Sequence, residues 1–464
     1  MMKKSKQRFI FTVLSIISIA MFGCSGKSTD KNGKTDTALD PELRQKIDSI
    51  AKDDPLLSGE LENKTIKWMA SWDINKPDDI PVDLAIFQEY YGGKIEFHQV
   101  VYEERYDKLT QAIQSGEGID FFSAGDMDAF PKGAVSNMFI PADDYIDFDS
   151  PLWADVKNAN DSLMWNGNHY VAAVSVTGDN CVVIYNKNTF EENGLEDPAD
   201  LYYKGEWDWN AFENALISFT DTANQQYGID GWWFEFGLIN TTGVPAVSLS
   251  NQKLTNNLAD PSMARVQNWI YGLYNKDLIA IGVGTYGWDT RPNYIGEGKL
   301  LFYPSGLYNF YCPKEQWASI YGEDVFFVPM PKDPEADAHY IPTGMDSYLI
   351  VNGAQNPEGV AKYLNCKRYA ITNSEFKALA DKQMYANYGW TDEMIAMNNE
   401  LTKLASANPR FDVSRGVSSD CGKMLDDCLR YTARGLAPWN ETFDSINSTI
   451  DLYLEEVNSA SSAD

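Results

Sequence analysis

The stretch Lys64-Thr65-Ile66-Lys67-Trp68-Met69-Ala70-Ser71 alternates polar and apolar side chains, the period-two pattern of a strand with one buried face. The next sixty residues fix the architecture. The spacing predicts a helix over 82–91 and a second strand over 94–101. Tyr106, Leu109 and Ile113 recur at helical spacing within 103–115, and Gly116 ends that run. A third, short apolar strand over 119–123 closes at Ala124-Gly125-Asp126. Strand, helix, strand, helix, strand predicts α/β layers, with helices packed on a largely parallel sheet.

Further along, Cys181-Val182-Val183-Ile184-Tyr185 opens a second block of the same kind. Helices are expected over 209–220 and 260–275, where Pro261 comes after the good N-cap Asp260. Strands are expected over 299–304, 324–328 and 347–351, a helix over 357–370, and a mostly helical tail over 418–457. No internal repeat interrupts this order.

Towards the amino terminus, Lys3, Lys4, Lys6 and Arg8 precede an apolar run over 9–22, then Met21-Phe22-Gly23-Cys24. This is the layout of a secretory signal over 1–23, and its apolar run is shorter than the ~20 residues a spanning helix needs. The cysteine after Gly23 resembles a bacterial lipobox, with Met21 where Leu is usual. That resemblance implies a lipid on Cys24 and an extracytoplasmic protein anchored to the outer face of the cell membrane. Residues 25–39 are Ser, Lys, Asp, Gly and Thr with almost nothing apolar, which suits a tether. Asp40-Pro41-Glu42-Leu43 could open a short helix, so 24–60 is expected to be lipidated Cys, tether and helix.

Removing the signal from the 464 residues leaves a body too large for one compact core, so two domains are expected. The formal charge of −29 becomes −33 once the four basic residues of 1–23 are gone. Such a surface excludes nucleic acid as a partner. Cys181, Cys312, Cys366, Cys421 and Cys428 are odd in number and form no zinc or CxxC spacing. Cys421 and Cys428 would sit two turns apart on one helix, too far for a disulfide. His98, His169 and His339 are scattered and read as structural. The acid-rich Asp143–Asp149 loop lacks the Gly and Glu of an EF-hand, so neither metal nor cofactor is expected.

Several motifs, taken in order, are similar to one family. Tyr106-Asp107-Lys108-Leu109 leads through Ser115-Gly116-Glu117-Gly118 to Ile119-Asp120-Phe121-Phe122, then Asn137-Met138-Phe139-Ile140-Pro141-Ala142-Asp143-Asp144-Tyr145. Asn166-Gly167-Asn168-His169-Tyr170-Val171-Ala172-Ala173-Val174 precedes Val183-Ile184-Tyr185-Asn186-Lys187. Trp207-Asp208-Trp209-Asn210-Ala211-Phe212 and Tyr294-Ile295-Gly296-Glu297-Gly298-Lys299-Leu300-Leu301-Phe302 come next. Together these resemble the family-1, maltose-binding-protein-like extracellular solute-binding proteins, over roughly 65–457. The chain departs from the family where Gly118-Ile119-Asp120 replaces the usual Pro-Asp-Ile, and in the loops around Gly231 and Gly284. The resemblance implies a type II, two-lobed periplasmic-binding-protein-like fold: discontinuous lobes joined by a hinge, a ligand cleft between them, and no chemistry on the ligand. The expected lobes are 61–177 plus 300–343, and 178–299 plus 344–464. The implied partners are a small carbohydrate and the permease subunits of an ABC transporter, served by a monomer.

A sugar ring presents an apolar C–H face and a rim of hydroxyls, which flat aromatics and neighbouring carboxylates or amides match. Trp72 and Asp73 come after the first strand at its carboxyl end, where α/β ligands bind. Trp233 with Glu235, Trp288 in a Gly- and Asp-rich loop, Tyr308 after a Ser-Gly turn, and Trp439 have the same character. By the family resemblance, Trp72, Trp439, Asp126, Asp179, Asn180, Trp232 and Trp233 fall at contact positions, with Asp346 added in the loop opening the last strand. A polyamine or peptide would use the same acids and aromatics differently, through ammonium pairing and cation–π contact. A glycoside hydrolase would need an acid pair at a defined separation, and no acid pair sits in a recognisable catalytic motif.

Overall fold

The computed structural model describes residues 41–460, except 53, 76–79, 232 and 281–289. The signal, Cys24, the tether, Trp232 and Trp288 therefore lie outside the described residues. The short helix is present as Pro41–Lys46, and Leu43, Ile47, Ala51, Leu57 and Leu61 are buried in the adjoining core.

Twelve strands are found among the described residues. β1 (Thr65–Ala70), β2 (Lys94–Gln99), β3 (Phe121–Ser123), β4 (Phe139–Ile140) and β5 (Val171–Thr177) belong to a first sheet. β6 (Val182–Asn186) opens a second sheet and β7 (Tyr227–Ile229) joins it. β8 (Val247–Ser250) and β9 (Lys253–Asn256) form a separate antiparallel hairpin. β10 (Leu300–Ser305) and β11 (Val325–Val328) complete the second sheet, and β12 (Gly344–Val351) returns to the first.

The expected helices form close to their predicted bounds, at Val82–Tyr91, Arg105–Ser115, Trp209–Phe219, Pro261–Asn275, Pro357–Thr372, Ser419–Cys428 and Trp439–Ala460. Side-chain caps set several of their starts: Asp208 accepts from the Ala211 N–H, Asp260 from Ser262 and Ser418 from Cys421.

The sheets are mixed rather than largely parallel. β1 runs parallel to β2 and β3, while β12 lies antiparallel to β3, β4 and β5. In the second sheet β10 is parallel to β7 but antiparallel to β6, as is β11. This pairing corrects the expected division of the chain. β10 and β11, expected with the first lobe, hydrogen-bond into the second sheet, and β12, expected with the second, is in the first. Every residue of β10 and β11 is buried. A strand buried on both faces carries no alternation to say which sheet it joins.

Two cores result. One surrounds Trp68, whose ring packs 4.7 Å from Phe121 and 5.7 Å from Tyr348, with Phe87 and Tyr363 5.4 Å apart bringing two helices onto it. The second gathers Phe212, Phe302 and Trp207, with Phe212 stacked on Phe302 at 4.6 Å. Asp120, at the site of the departure from the family pattern, is buried. It accepts backbone N–H groups from Lys67 at 2.8 Å and from Gln355 and Asn356 at 2.7 Å, tying β1 to the Pro357–Thr372 helix. Cys181, Cys312, Cys366, Cys421 and Cys428 are free thiols. No helix among the described residues is long and apolar enough to cross a membrane.

Candidate functional site between the two sheets

The strand order β2-β1-β3, all parallel, delivers three loops onto one carboxyl edge of the first sheet. Trp72 and Asp73 lie on the loop after β1, Tyr102 on the loop after β2, and Asp126 on the loop after β3. Ligands in open α/β sheets collect at such edges. Trp72 is half-exposed, its ring edge-on to Trp68 at 5.3 Å, and its carbonyl accepts from the Trp68 indole at 3.1 Å. Asp73 is exposed and accepts the Asn75 N–H at 2.9 Å. Asp126 keeps 49% of its side-chain surface open but is crowded on its other sides. Lost hydration first, then the neighbouring Asp128 charge, push its carboxyl up, against the pull of Arg105.

The crossing between the halves meets the same edge. β5 ends at Thr177 opposite Gly344, and β6 begins at Val182 opposite Ser305. Gly178 is required there: a Cβ would lie 2.5 Å from the Leu401 carbonyl oxygen and 2.7 Å from Ile341. Asp179 is engaged on both sides. Its carboxylate accepts from the Tyr311 hydroxyl at 2.9 Å and its carbonyl from the Leu307 N–H at 2.9 Å. Asn180 beside it is exposed.

On the second sheet, β7 and β10 end on the side that faces the crossing. Tyr308 comes after β10, is half-exposed, and stands edge-on to the Trp233 ring at 6.2 Å. Asp230, after β7, is buried against Arg291 at 3.3 Å.

Three expected contact residues are occupied elsewhere. Glu235 is fully buried and paired with Arg434 at 2.9 Å, because the first turn of the Phe234–Asn240 helix points it inward. Burial pushes its carboxyl up, while Arg434 and Arg430 oppose the shift. Asp346 is a partner of Lys367 at 3.1 Å, which also holds Asp83 at 3.0 Å. Trp439 is buried at the start of the last helix, packed towards Phe443 at 6.2 Å. An amphipathic helix buries its apolar stripe, and this tryptophan falls on that stripe.

Sequence reasoning missed Tyr102 and Arg105. The signal was available, since Tyr102 comes after β2 as Trp72 comes after β1. It also missed Arg415, whose charge acts on both Tyr102 and Asp126 from the far side of the site. The segment carrying Arg415 is tied to the β8–β9 hairpin: the Val413 N–H bonds to the Val247 carbonyl at 3.1 Å. It touches the first half directly, for a Cβ on Gly416 would fall 1.7 Å from the Phe130 carbonyl oxygen.

His169 has the structural role expected. It is buried, with Nδ1 2.7 Å from Asp143 and Nε2 3.2 Å from Asp161, and stacks on Phe148 at 4.4 Å.

Comparison with known proteins agrees with this geometry. Residues 70–366 match the family of bacterial extracellular solute-binding proteins, and the chain belongs to that family. Its fold is the two-lobed type II fold of periplasmic binding proteins. Among solved structures, a cyclo/maltodextrin-binding protein complexed with maltotetraose superposes with a TM-score of 0.60 at 16% identity, over 86% of this chain and 98% of that one. A cyclic α-maltosyl-1,6-maltose binding protein from Arthrobacter globiformis gives 0.62 at 13% identity, over 84% and 99%. An ABC transporter solute-binding protein from Thermotoga lettingae, bound with α-D-tagatose, gives 0.59 at 16% identity, over 84% and 100%. No curated protein sequence matches the chain significantly.

Proposed function

We propose that this protein is a lipid-anchored, cell-surface binding protein that captures a carbohydrate, an oligosaccharide by preference, and hands it to an ABC permease without altering it. The observation that carries the reading is the convergence of open aromatics and carboxylates on facing sheet edges. Trp72, Asp73 and Asp126 lie on one side, Tyr308 and Trp233 on the other, with Asp179 and Asn180 at the crossing. Aromatic faces suit the C–H surface of a sugar, and the carboxylates and amide accept from and donate to its hydroxyls. The ligands of the similar structures, maltotetraose and α-D-tagatose among them, support the same class. Cys24 would carry the lipid, and Trp232 and Trp288 belong to the same proposed contact set.

In this reading the first lobe is built on β1–β5 and β12, the second on β6–β11. The hinge then falls at Gly178–Asn180, at the segment that enters β12, and beyond the Pro357–Thr372 helix, which still packs on the first core. Closure about such a hinge commits the ligand to the cleft. A thermal-shift screen of the body from Thr37 onward against oligosaccharides, polyamines and short peptides tests it, because this body is a single compact unit. A ligand that binds only the native state raises the melting point by mass action. The expected result is a shift with a sugar that is recovered intact. A shift with polyamines alone overturns the carbohydrate assignment, and loss of intact sugar overturns the absence of catalysis.

A further inference from the structure

Tyr102 is the first residue of the short helical turn Tyr102–Glu104 and keeps 40% of its surface exposed. It is nevertheless fixed. The Arg105 guanidinium lies 3.7 Å from its ring centroid, covering one face. The same guanidinium donates to the Tyr102 carbonyl at 2.6 Å and to the Asp128 carboxylate, and stands 3.6 Å from Asp126. Asp126 stands near the Tyr102 hydroxyl, and its charge acts on it. Ring face and backbone are thus both held, and the outer face is left open on the edge that carries Trp72.

Resting on the carbohydrate reading above, we propose that Tyr102 is a sugar-stacking residue of the first lobe. It presents a platform held by Arg105, beside Asp126, that takes a neutral sugar ring rather than a cation. A platform whose rotamer is already locked loses little entropy when a ring settles on it. The charges around it decide the class of ligand. Arg105, which is buried, answers Asp126 and Asp128, and Arg415, held by Asp426 at 3.1 Å, adds a second positive charge. A cation would have to compete with these guanidinium groups for the same carboxylates. On the open ring face a cation would lie across the ring from the Arg105 charge, whose repulsion offsets the cation–π attraction. A neutral ring loses nothing to either effect, and its hydroxyls can donate to the lone pairs of Asp126 that Arg105 leaves over.

The test titrates the body from Thr37 onward, as wild type, Tyr102→Ala, Tyr102→Leu and Tyr102→Phe. The probes are malto-, cello- and xylo-oligosaccharide ladders and spermidine, read by native mass spectrometry and calorimetry. Wild type is expected to retain at least one oligosaccharide and no spermidine. Tyr102→Ala and Tyr102→Leu are each expected to weaken that sugar at least tenfold, while Tyr102→Phe stays within about threefold because it keeps the ring over Arg105. The Leu variant preserves apolar bulk, so it reports on stacking even if the Ala variant folds poorly. Wild-type sugar affinity unchanged in both aliphatic variants overturns the role of Tyr102 and leaves the carbohydrate reading standing. Failure of wild type to retain any oligosaccharide overturns that reading, and the platform with it.

Discussion

Replacing Arg434 with Met should make the stability of this protein fall steeply with rising pH. Arg434 and Glu235 form a buried ion pair at 2.9 Å, with 9% and 0% of their side-chain surfaces exposed. Glu235 Oε2 and Arg434 Nε make no hydrogen bond of their own. The pair is therefore held by one contact, with Arg430 as a second, more distant positive charge on Glu235. Methionine keeps the stem and its packing on Phe234, over which the guanidinium now lies at 5.7 Å, but removes the charge.

An uncompensated buried carboxylate costs ~3–5 kcal/mol. Glu235 can escape that cost by taking a proton, and the cost of protonation rises by ~1.4 kcal/mol for each pH unit above the ordinary glutamate value near ~4.3. At pH 7 protonation costs about 4 kcal/mol, comparable to staying charged, and at pH 5 only about 1 kcal/mol. Linkage sets the sign. In the variant the folded-state pKa of Glu235 is raised above its unfolded value, so stability is intact below the unfolded pKa and is lost as pH rises towards the folded one. The penalty of Arg434→Met should thus shrink from about 3–4 kcal/mol at pH 7 to about 1 kcal/mol at pH 5, with Arg430 moderating the slope. Urea unfolding of wild type, Arg434→Met and the double variant Glu235→Gln/Arg434→Met at pH 5, 6 and 7 measures it. A penalty equal at pH 5 and pH 7, or a slope that survives in the double variant, would refute the reasoning.

Two further predictions separate residues that look alike in the sequence. Trp439→Ala, which empties a buried site, should cost ~3–5 kcal/mol in thermal or urea unfolding. Trp72→Ala, at a half-exposed site, should cost about 1 kcal/mol or less and instead weaken sugar binding; the opposite ranking of stabilities would show that the two rings have exchanged roles. Cys181, Cys366, Cys421 and Cys428 are buried, and burial pushes their thiols up, to about 12 for Cys181 and Cys421. In the body from Thr37 onward a disulfide-exchange reagent at pH 8 should therefore label half-buried Cys312 first, and the other four only after denaturant is added.

Much of the fold was legible because its signals are local. β1 alternates, Asp208 and Asp260 cap the helices they precede, and Gly116 ends one, so each element announces itself within a few residues. The assignment of β10, β11 and β12 to sheets was not legible, because it depends on partners more than a hundred residues away, such as Val183 for Pro304 and Phe122 for Leu349. The site divides in the same manner. Trp72 and Asp126 could be placed by their position after parallel strands, and Tyr102 by the identical argument had it been applied. Trp439 and Glu235 could not, since a tryptophan or glutamate at a helix start is turned inward or outward by the rest of the fold.

On the carbohydrate reading an acidic chain serves a neutral ligand, and the pairing of charges bears on how it can. A formal charge of −29 invites the idea of a cationic partner. Yet several carboxylates in and around the facing sheet edges are paired with cations. Asp126 and Asp128 meet Arg105, Asp230 meets Arg291, Glu235 meets Arg434, and Asp346 meets Lys367. What remains near the site is a set of carboxylates, some paired and some exposed like Asp73, with lone pairs to spare, set beside aromatic rings of which Tyr102, Trp72 and Tyr308 are open. Such pairing lowers the negative potential that a polyamine needs. A polyhydroxylated ring needs acceptors and flat apolar faces, which it leaves in place.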